Sequence, residues 1–160
     1  MNEWKDLFVA TAGAAAALTG LIFVGISINL NKILAHQALP TRASVSLALL
    51  MSILLFSVVL LVPVKSLSDT GWLVLTFGLI VWILVTRGDV KIYRKTRQEY
   101  KRLFLYNVLL DQVSVLPYIV GGFLLLSGSE AGAYCIVTAF VFSFIKAVSD
   151  AWVLVIEILR

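Results

Sequence analysis

The stretch LFVATAGAAAALTGLIFVGISINL, residues 7–30, decides the fold class, because it contains no charged residue and is long enough to cross a bilayer. A helix needs roughly 20 apolar residues, each rising about 1.5 Å, to span about 30 Å of hydrocarbon. Further apolar runs with few charges follow at 43–64, 71–86, 105–128 and 131–153. The sequence therefore predicts one all-α domain over residues 1–160, a polytopic transmembrane bundle of about five spanning helices.

The composition of the chain also excludes a soluble domain. Hydrophobic residues make up 61% of the 160 residues and charged residues 14%, against roughly 45–50% and 25% in soluble proteins. A soluble domain of this size would leave large apolar patches in water. We therefore expect the lipid bilayer to cover its surface. The net charge of +4 does not indicate a nucleic-acid partner, because most basic residues fall in one run.

That basic run, RGDVKIYRKTRQEYKR at residues 87–102, indicates the orientation of the chain. Connections on the cytoplasmic side carry the excess of Lys and Arg, so we expect this connection inside, the amino terminus outside and the carboxyl terminus in the cytoplasm. It lacks Gly and Pro after Gly88 and should continue the flanking helices into the cytoplasm. Its charges could bind anionic lipid or serve regulation, but we favour plain topology marking, because ordinary cytoplasmic loops have the same composition.

A stripe of small and polar residues runs along one face of the first helix, in alternating steps of four and three from Asp6. In lipid, small residues let neighbouring helices approach closely. The stripe could pack inside the bundle, or face other copies around a pore in a self-associated assembly. Its members beyond Ala10 are Gly13, Ala17, Gly20, Val24, Ser27 and Asn31.

Two amides mark the inner end of the same helix. Asn29 lies about 34 Å from Asp6 along an ideal helix axis, at the edge of the hydrocarbon. Asn29 and Asn31 could form a polar ring at a cytoplasmic pore mouth. Alternatively, they are residues at a helix end that bind water and free carbonyl groups.

Three charges are predicted at or near membrane depth. Asp111 lies about 26 Å from Gly128 and Lys146 about 24 Å from Glu130, so the two reach a similar depth. Asp150 follows Lys146 by four residues and shares its helix face. Because an unpaired charge in lipid is costly, we expect Asp111, Lys146 and Asp150 to form a network. It could bind an ion or relay protons, or only lock two helices together.

The fourth span contains Pro117 with Gly121 and Gly122 a turn later. This combination is typical of a weakened or kinked spanning helix. Broken helices line substrate sites in transporters, usually in two related halves. Only one such segment and no internal repeat occur here, which disfavours a transporter built on paired repeats.

The sequence contains no motif typical of an enzyme, and we predict no enzymatic activity, cofactor or metal site. The only histidine, His36, has no second ligand near it in the sequence, and no nucleophile elbow or phosphate loop is visible. The single cysteine, Cys135, excludes an internal disulfide and lies in an apolar run.

Three strings carry a resemblance to a known group: FVATAGAAAALTGLIFVGISINL at 8–30, LPTRA at 39–43 and AWVLVIEILR at 151–160. They resemble a set of small bacterial multi-pass inner-membrane proteins, sometimes labelled as modulators of a membrane protease, over nearly the whole chain. The resemblance implies a bacterial inner membrane and the same number of spans. It implies no catalytic or binding residue.

Two functional hypotheses follow. The first is a small homo-oligomeric ion channel or pore lined by the first helix, with ions as its ligands. The second is a nonconducting adaptor or regulator that packs against a larger membrane protein through its small-residue face and its cytoplasmic ends.

Overall fold

A computed structural model describes residues 4–35, 39–63, 66–95 and 101–159. Within these ranges the chain forms six helices and no strand, which confirms the all-α prediction. Five of the helices are long and apolar enough to cross a membrane. The helices are α1 (Lys5–Ile28), α2 (Leu30–Ala35), α3 (Leu39–Leu61), α4 (Leu67–Lys95), α5 (Lys101–Leu126) and α6 (Ala131–Leu159).

The helix ends follow local chemistry. The first span ends at Asn29, whose N–H donates to the carbonyl of Ile26 and whose side chain donates to that of Gly25, and the short α2 follows. At the end of α5, Gly128 adopts a positive φ of 81°. There the N–H of Ser129 donates to the carbonyl of Leu124, and that of Gly128 to the carbonyl of Leu125. This pattern of two bonds around a left-handed glycine stops the helix and turns the chain into α6.

The span predicted at 71–86 belongs to a longer helix. Helix α4 begins at Leu67 and continues to Lys95, so it includes the first part of the basic connection. The remainder of that connection, at 96–100, lies outside the described residues. Since α4 ends and α5 begins at this connection, we call this end of the bundle the basic end.

Helix α3 lies at the centre of the bundle and packs against α1, α4 and α6. Large side chains fill the space between the helices. The rings of Phe56 and Tyr118 stack with centroids 4.2 Å apart, and Phe140 lies 5.9 Å from Tyr118. All three side chains are almost fully buried. The middle of a single copy is therefore a packed core.

Glycines bring α4, α5 and α6 into close contact. A Cβ atom on Gly71 would lie 2.6 Å from the backbone nitrogen of Leu126, and one on Gly132 would lie 2.5 Å from the carbonyl oxygen of Gly121. Gly122 approaches the backbone of Leu75 in the same way. Helix α5 continues through Pro117, so the proline does not interrupt the helix. Gly121 and Gly122 after it serve close helix packing.

Candidate functional site

A cluster of buried charges lies between the helices near the basic end. The Nζ atom of Lys146 on α6 lies 3.2 Å from a carboxylate oxygen of Asp111 on α5. It also donates to Asp150, one turn further along α6. Asp111 is 3% exposed and Lys146 5% exposed. The structure thus brings together all three residues that depth and spacing predicted to pair.

A fourth charged residue, Asp89 on α4, joins this cluster. The basic run predicts that Asp89 lies in a cytoplasmic connection, but the structure buries it to 3% exposure. Its carboxyl group lines the same small crevice as Asp111, Lys146 and Asp150, and its Oδ2 atom is buried without a hydrogen-bond partner among the described residues. Asp89 is buried because α4 continues as a helix past the predicted end of the span and packs along α5.

Counting residues from the other end of α4 could have found Asp89. It lies about 27 Å from Gly71 along an ideal helix, close to the depth reached by Asp111 and Lys146. The density of basic residues around Asp89 concealed this signal, because a run of Lys and Arg is typical of a connection.

Polar side chains support the cluster from neighbouring positions. Gln112 accepts a hydrogen bond of 2.8 Å from the indole of Trp82 and donates one of 3.2 Å to the hydroxyl of Thr86. On the opposite side, Ser46 donates to the carbonyl of Ala147. These bonds fix α3, α4, α5 and α6 relative to one another at the level of the charges.

The charges line a narrow crevice of about 10 Å³, which is room for about one water molecule. Arg42 on α3 and Asn107 on α5 complete its polar lining. Asn107 and Asp150 each lie one turn closer to the basic end than Asp111 and Lys146, so they occupy the mouth of the crevice. The arrangement can hold a proton or a single small polar molecule between oppositely charged groups.

The small-residue stripe of α1 lies on an exposed surface. Helix α1 packs on α3 through another face, where Phe8 and Ala15 are fully buried and Thr11 bonds to Ser57 at 2.8 Å. Near its start it also contacts α6, through the edge-to-face pair Trp4 and Tyr134. The stripe faces away from the bundle, and its exposed members are Gly13, Ala17, Gly20, Val24 and Ser27.

The inward-packing interpretation of the stripe is therefore wrong for a single copy. A Cβ atom added to Gly13 or Gly20 would meet nothing within 4 Å. The stripe also ends earlier than predicted. Asn31 is exposed but lies in α2, beyond the turn at Asn29, so the helical register that placed it after Ser27 does not extend to it.

The side chains predicted to form a polar mouth bond to their own helix. The Asn29 amide donates to the carbonyl of Gly25, and the Ser27 hydroxyl donates to the carbonyl of Phe23. These contacts match the interpretation of Asn29 as a residue at a helix end that binds a free carbonyl. Asn31 stays exposed. His36 lies outside the described residues.

A search of protein-family models, curated proteins and solved structures finds no match to this chain.

Proposed function

We propose that the protein is a homo-oligomeric ion-conducting pore of a bacterial inner membrane, in which the first helices of several copies line the pathway. The observation that carries this proposal is the exposed stripe on α1, where a Cβ atom added to Gly13 or Gly20 would meet nothing within 4 Å in a single copy. In lipid, the hydrophobic effect does not drive helices together, because the lipid tails are as apolar as the side chains. Small residues let two helix backbones approach closely and form dispersion contacts. The stripe can therefore pack against another helix.

The inner-membrane location and the orientation, with the amino terminus outside, belong to the same proposal. The five apolar helices support a multi-pass membrane protein. The excess of Lys and Arg at the basic end supports a cytoplasmic position for that end. The resemblance to small bacterial inner-membrane proteins supports the location.

A pathway between copies fits the packing better than one through a single copy. The centre of the bundle is filled by Phe56, Tyr118 and Phe140. Helix α1, by contrast, lies at the edge of the bundle, with few of its residues buried. Copies arranged around an axis could turn their α1 helices inward without rebuilding the core.

The proposed pathway passes Gly13, Ala17 and Gly20, where the absence of large side chains leaves room for ions. Val24 then forms an apolar constriction, and such constrictions gate by losing water. The Asn29 amide is engaged with its own helix, so the polar contribution at the cytoplasmic mouth comes from Asn31.

Conductance in planar bilayers tests the pore. Purified protein should conduct ions, Val24→Asp should raise the open probability by wetting the constriction, and Gly20→Leu should narrow or abolish conduction. The matched control is Val148→Asp on α6, because Val148 is exposed to a similar extent as Val24, 48% against 54%, and should face lipid. Folded protein that stays silent across ions, voltages and membrane tension, or an equal response to Val148→Asp, would contradict the pore.

A second candidate is a nonconducting adaptor or regulator of a larger membrane protein, favoured by the end of α6. This helix continues to Leu159 and exposes apolar side chains on its last turns. Trp152 is 67% exposed, and Val155 and Ile156 are about half exposed. The small-residue stripe could then receive a helix of a foreign protein.

Crosslinking in native membranes separates the two candidates. An adaptor should yield one stoichiometric foreign partner that is lost when residues 152–160 are deleted. A pore should yield contacts between copies along α1. The oligomeric state in nanodiscs adds an independent measurement, because the pore requires several copies of the 17.6 kDa chain.

A further inference from the structure

Asp89 and Asp111 are two carboxylic acids that line the same buried crevice. Both line the crevice of about 10 Å³, and each residue is 3% exposed. Oδ2 of Asp89 is fully buried and has no hydrogen-bond partner among the described residues, and the buried Oδ1 of Asp111 has only the Lys146 ammonium beside it, at 3.2 Å. Two ionised carboxylates offer only acceptors, so a hydrogen bond between Asp89 and Asp111 requires that one of the groups carries a proton.

The charges around the pair also favour the binding of one proton. From the helices packed around it, the pair faces Arg42 on α3, Gln112 and Asn107 on α5, and Lys146 and Asp150 on α6. Lys146 is in direct contact with Asp111 and Asp150. Asp89 makes no ion pair within the described part of the chain. Because Lys146 is already shared between two carboxylates, the Asp89 carboxylate has no ion-pair partner among the described residues, and one bound proton neutralises it.

We propose that Asp89 and Asp111 bind one exchangeable proton between them, which enters and leaves through the crevice at the basic end. The ligand is a proton and not a metal ion. The Lys146 ammonium already lies beside Asp111, and its positive charge would repel a metal cation bound there. Like-charged carboxylates that cannot both ionise at close range share a proton in other proteins by the same physics.

The mouth of the crevice provides the route. Asp150 remains partly accessible, with 13% of its side chain exposed, and Asn107 is half-buried beside it. Both lie closer to the basic end than the acid pair. A water molecule at the mouth can pass a proton between bulk solvent and Asp89. On the side away from the basic end, Val115 and Tyr118 are fully buried, and the proposal needs no opening there.

Infrared difference spectroscopy of the full-length protein in nanodiscs tests this site directly. Raising the pH should remove the carbonyl stretch of one protonated carboxylic acid per chain. Asp89→Asn should eliminate that band, and Asp69→Asn, at an exposed position near the start of the same helix, should leave it unchanged. The Asp89→Asn variant should fold, because the asparagine amide can donate to Asp111 as the protonated acid does.

Stability provides the second measurement. Proton release leaves a buried uncompensated charge, so the melting temperature of the wild type should fall as the pH rises through the range in which the band disappears. The Asp89→Asn variant should show no such fall. The absence of a protonated band at any pH at which the chain is folded, or a band that survives Asp89→Asn, would overturn the proposal. Removal of the band by Na⁺ at constant pH would overturn it in favour of a cation site.

Discussion

Lys146 supplies the positive charge that pairs with two carboxylates, Asp111 and Asp150, and its side chain is almost fully buried. Removing one partner of a buried ion pair typically costs about 3–5 kcal/mol, because the remaining charge is left unpaired in a medium of low polarity. Replacing both partners with apolar residues can be nearly neutral.

We therefore expect Lys146→Leu to lower the free energy of unfolding by about 3–5 kcal/mol. The double change Asp111→Leu with Lys146→Leu should recover much of that loss, because it removes the stranded charge together with its partner. Unfolding in mixed micelles measures both values. Lys91→Leu, at an exposed position of α4, serves as the control and should change stability by less than about 0.5 kcal/mol.

A double mutant whose loss is the plain sum of the two single losses would show that Asp111 and Lys146 do not act as a pair. Single mutants that unfold like the wild type would lead to the same conclusion. In either case, α5 and α6 would pack in a rotation other than the one described here.

The helices use their glycines in two different ways, and this difference can be measured. On α4, α5 and α6 the glycines Gly71, Gly122 and Gly132 lie where neighbouring backbones leave no room for a Cβ atom. On α1, Gly13 and Gly20 face open space. The first group holds one copy together, and the second is available to another molecule.

Gly71→Ala should therefore destabilise the isolated chain by about 1–3 kcal/mol, the usual cost of overpacking, because the added methyl meets the backbone of Leu126. Gly13→Ala should be neutral or slightly stabilising, since alanine is the better helix former. Thermal unfolding in a detergent that dissociates any oligomer measures both. Equal losses for the two variants would mean that α1 packs its stripe inside the bundle after all.

The whole molecule is asymmetric, with its tightly packed glycines among α4, α5 and α6 and a free small-residue face on α1. Cysteine crosslinking can test whether that face meets its own copies. Because Cys135 is the only cysteine, Cys135→Ser provides a cysteine-free background. In this background Gly13→Cys and Ala17→Cys should form disulfide-linked dimers in membranes under mild oxidation.

The control for this experiment is Val120→Cys, at an exposed position of α5 that should face lipid. It should crosslink little at the same expression level. Dimers formed as readily at Val120 as at Gly13 would indicate random collision, and their absence at all three positions would count against self-association through α1.

Residue patterns alone predicted a large part of this architecture. Five charge-poor runs identified the five long helices, since the thickness of the bilayer sets the length of a span. The depth of each residue along its helix also predicted that Asp111 lies near Lys146, and the four-residue spacing predicted that Asp150 reaches the same side chain. These predictions depend on distances along single helices, which the regular rise of a helix determines.

The rotation of each helix about its own axis was decided only by the tertiary structure. The stripe from Gly13 to Ser27 was visible in the sequence, but whether it faced α3 or the outside was not. The sequence pattern likewise predicts that Asp89 belongs to a connection, whereas the packing of α4 against α5 buries it. The physical reason is that lipid is as apolar as a protein core, so hydrophobicity does not distinguish the inner face of a spanning helix from the outer one. Close packing and buried hydrogen bonds make that choice, and they depend on all the helices at once.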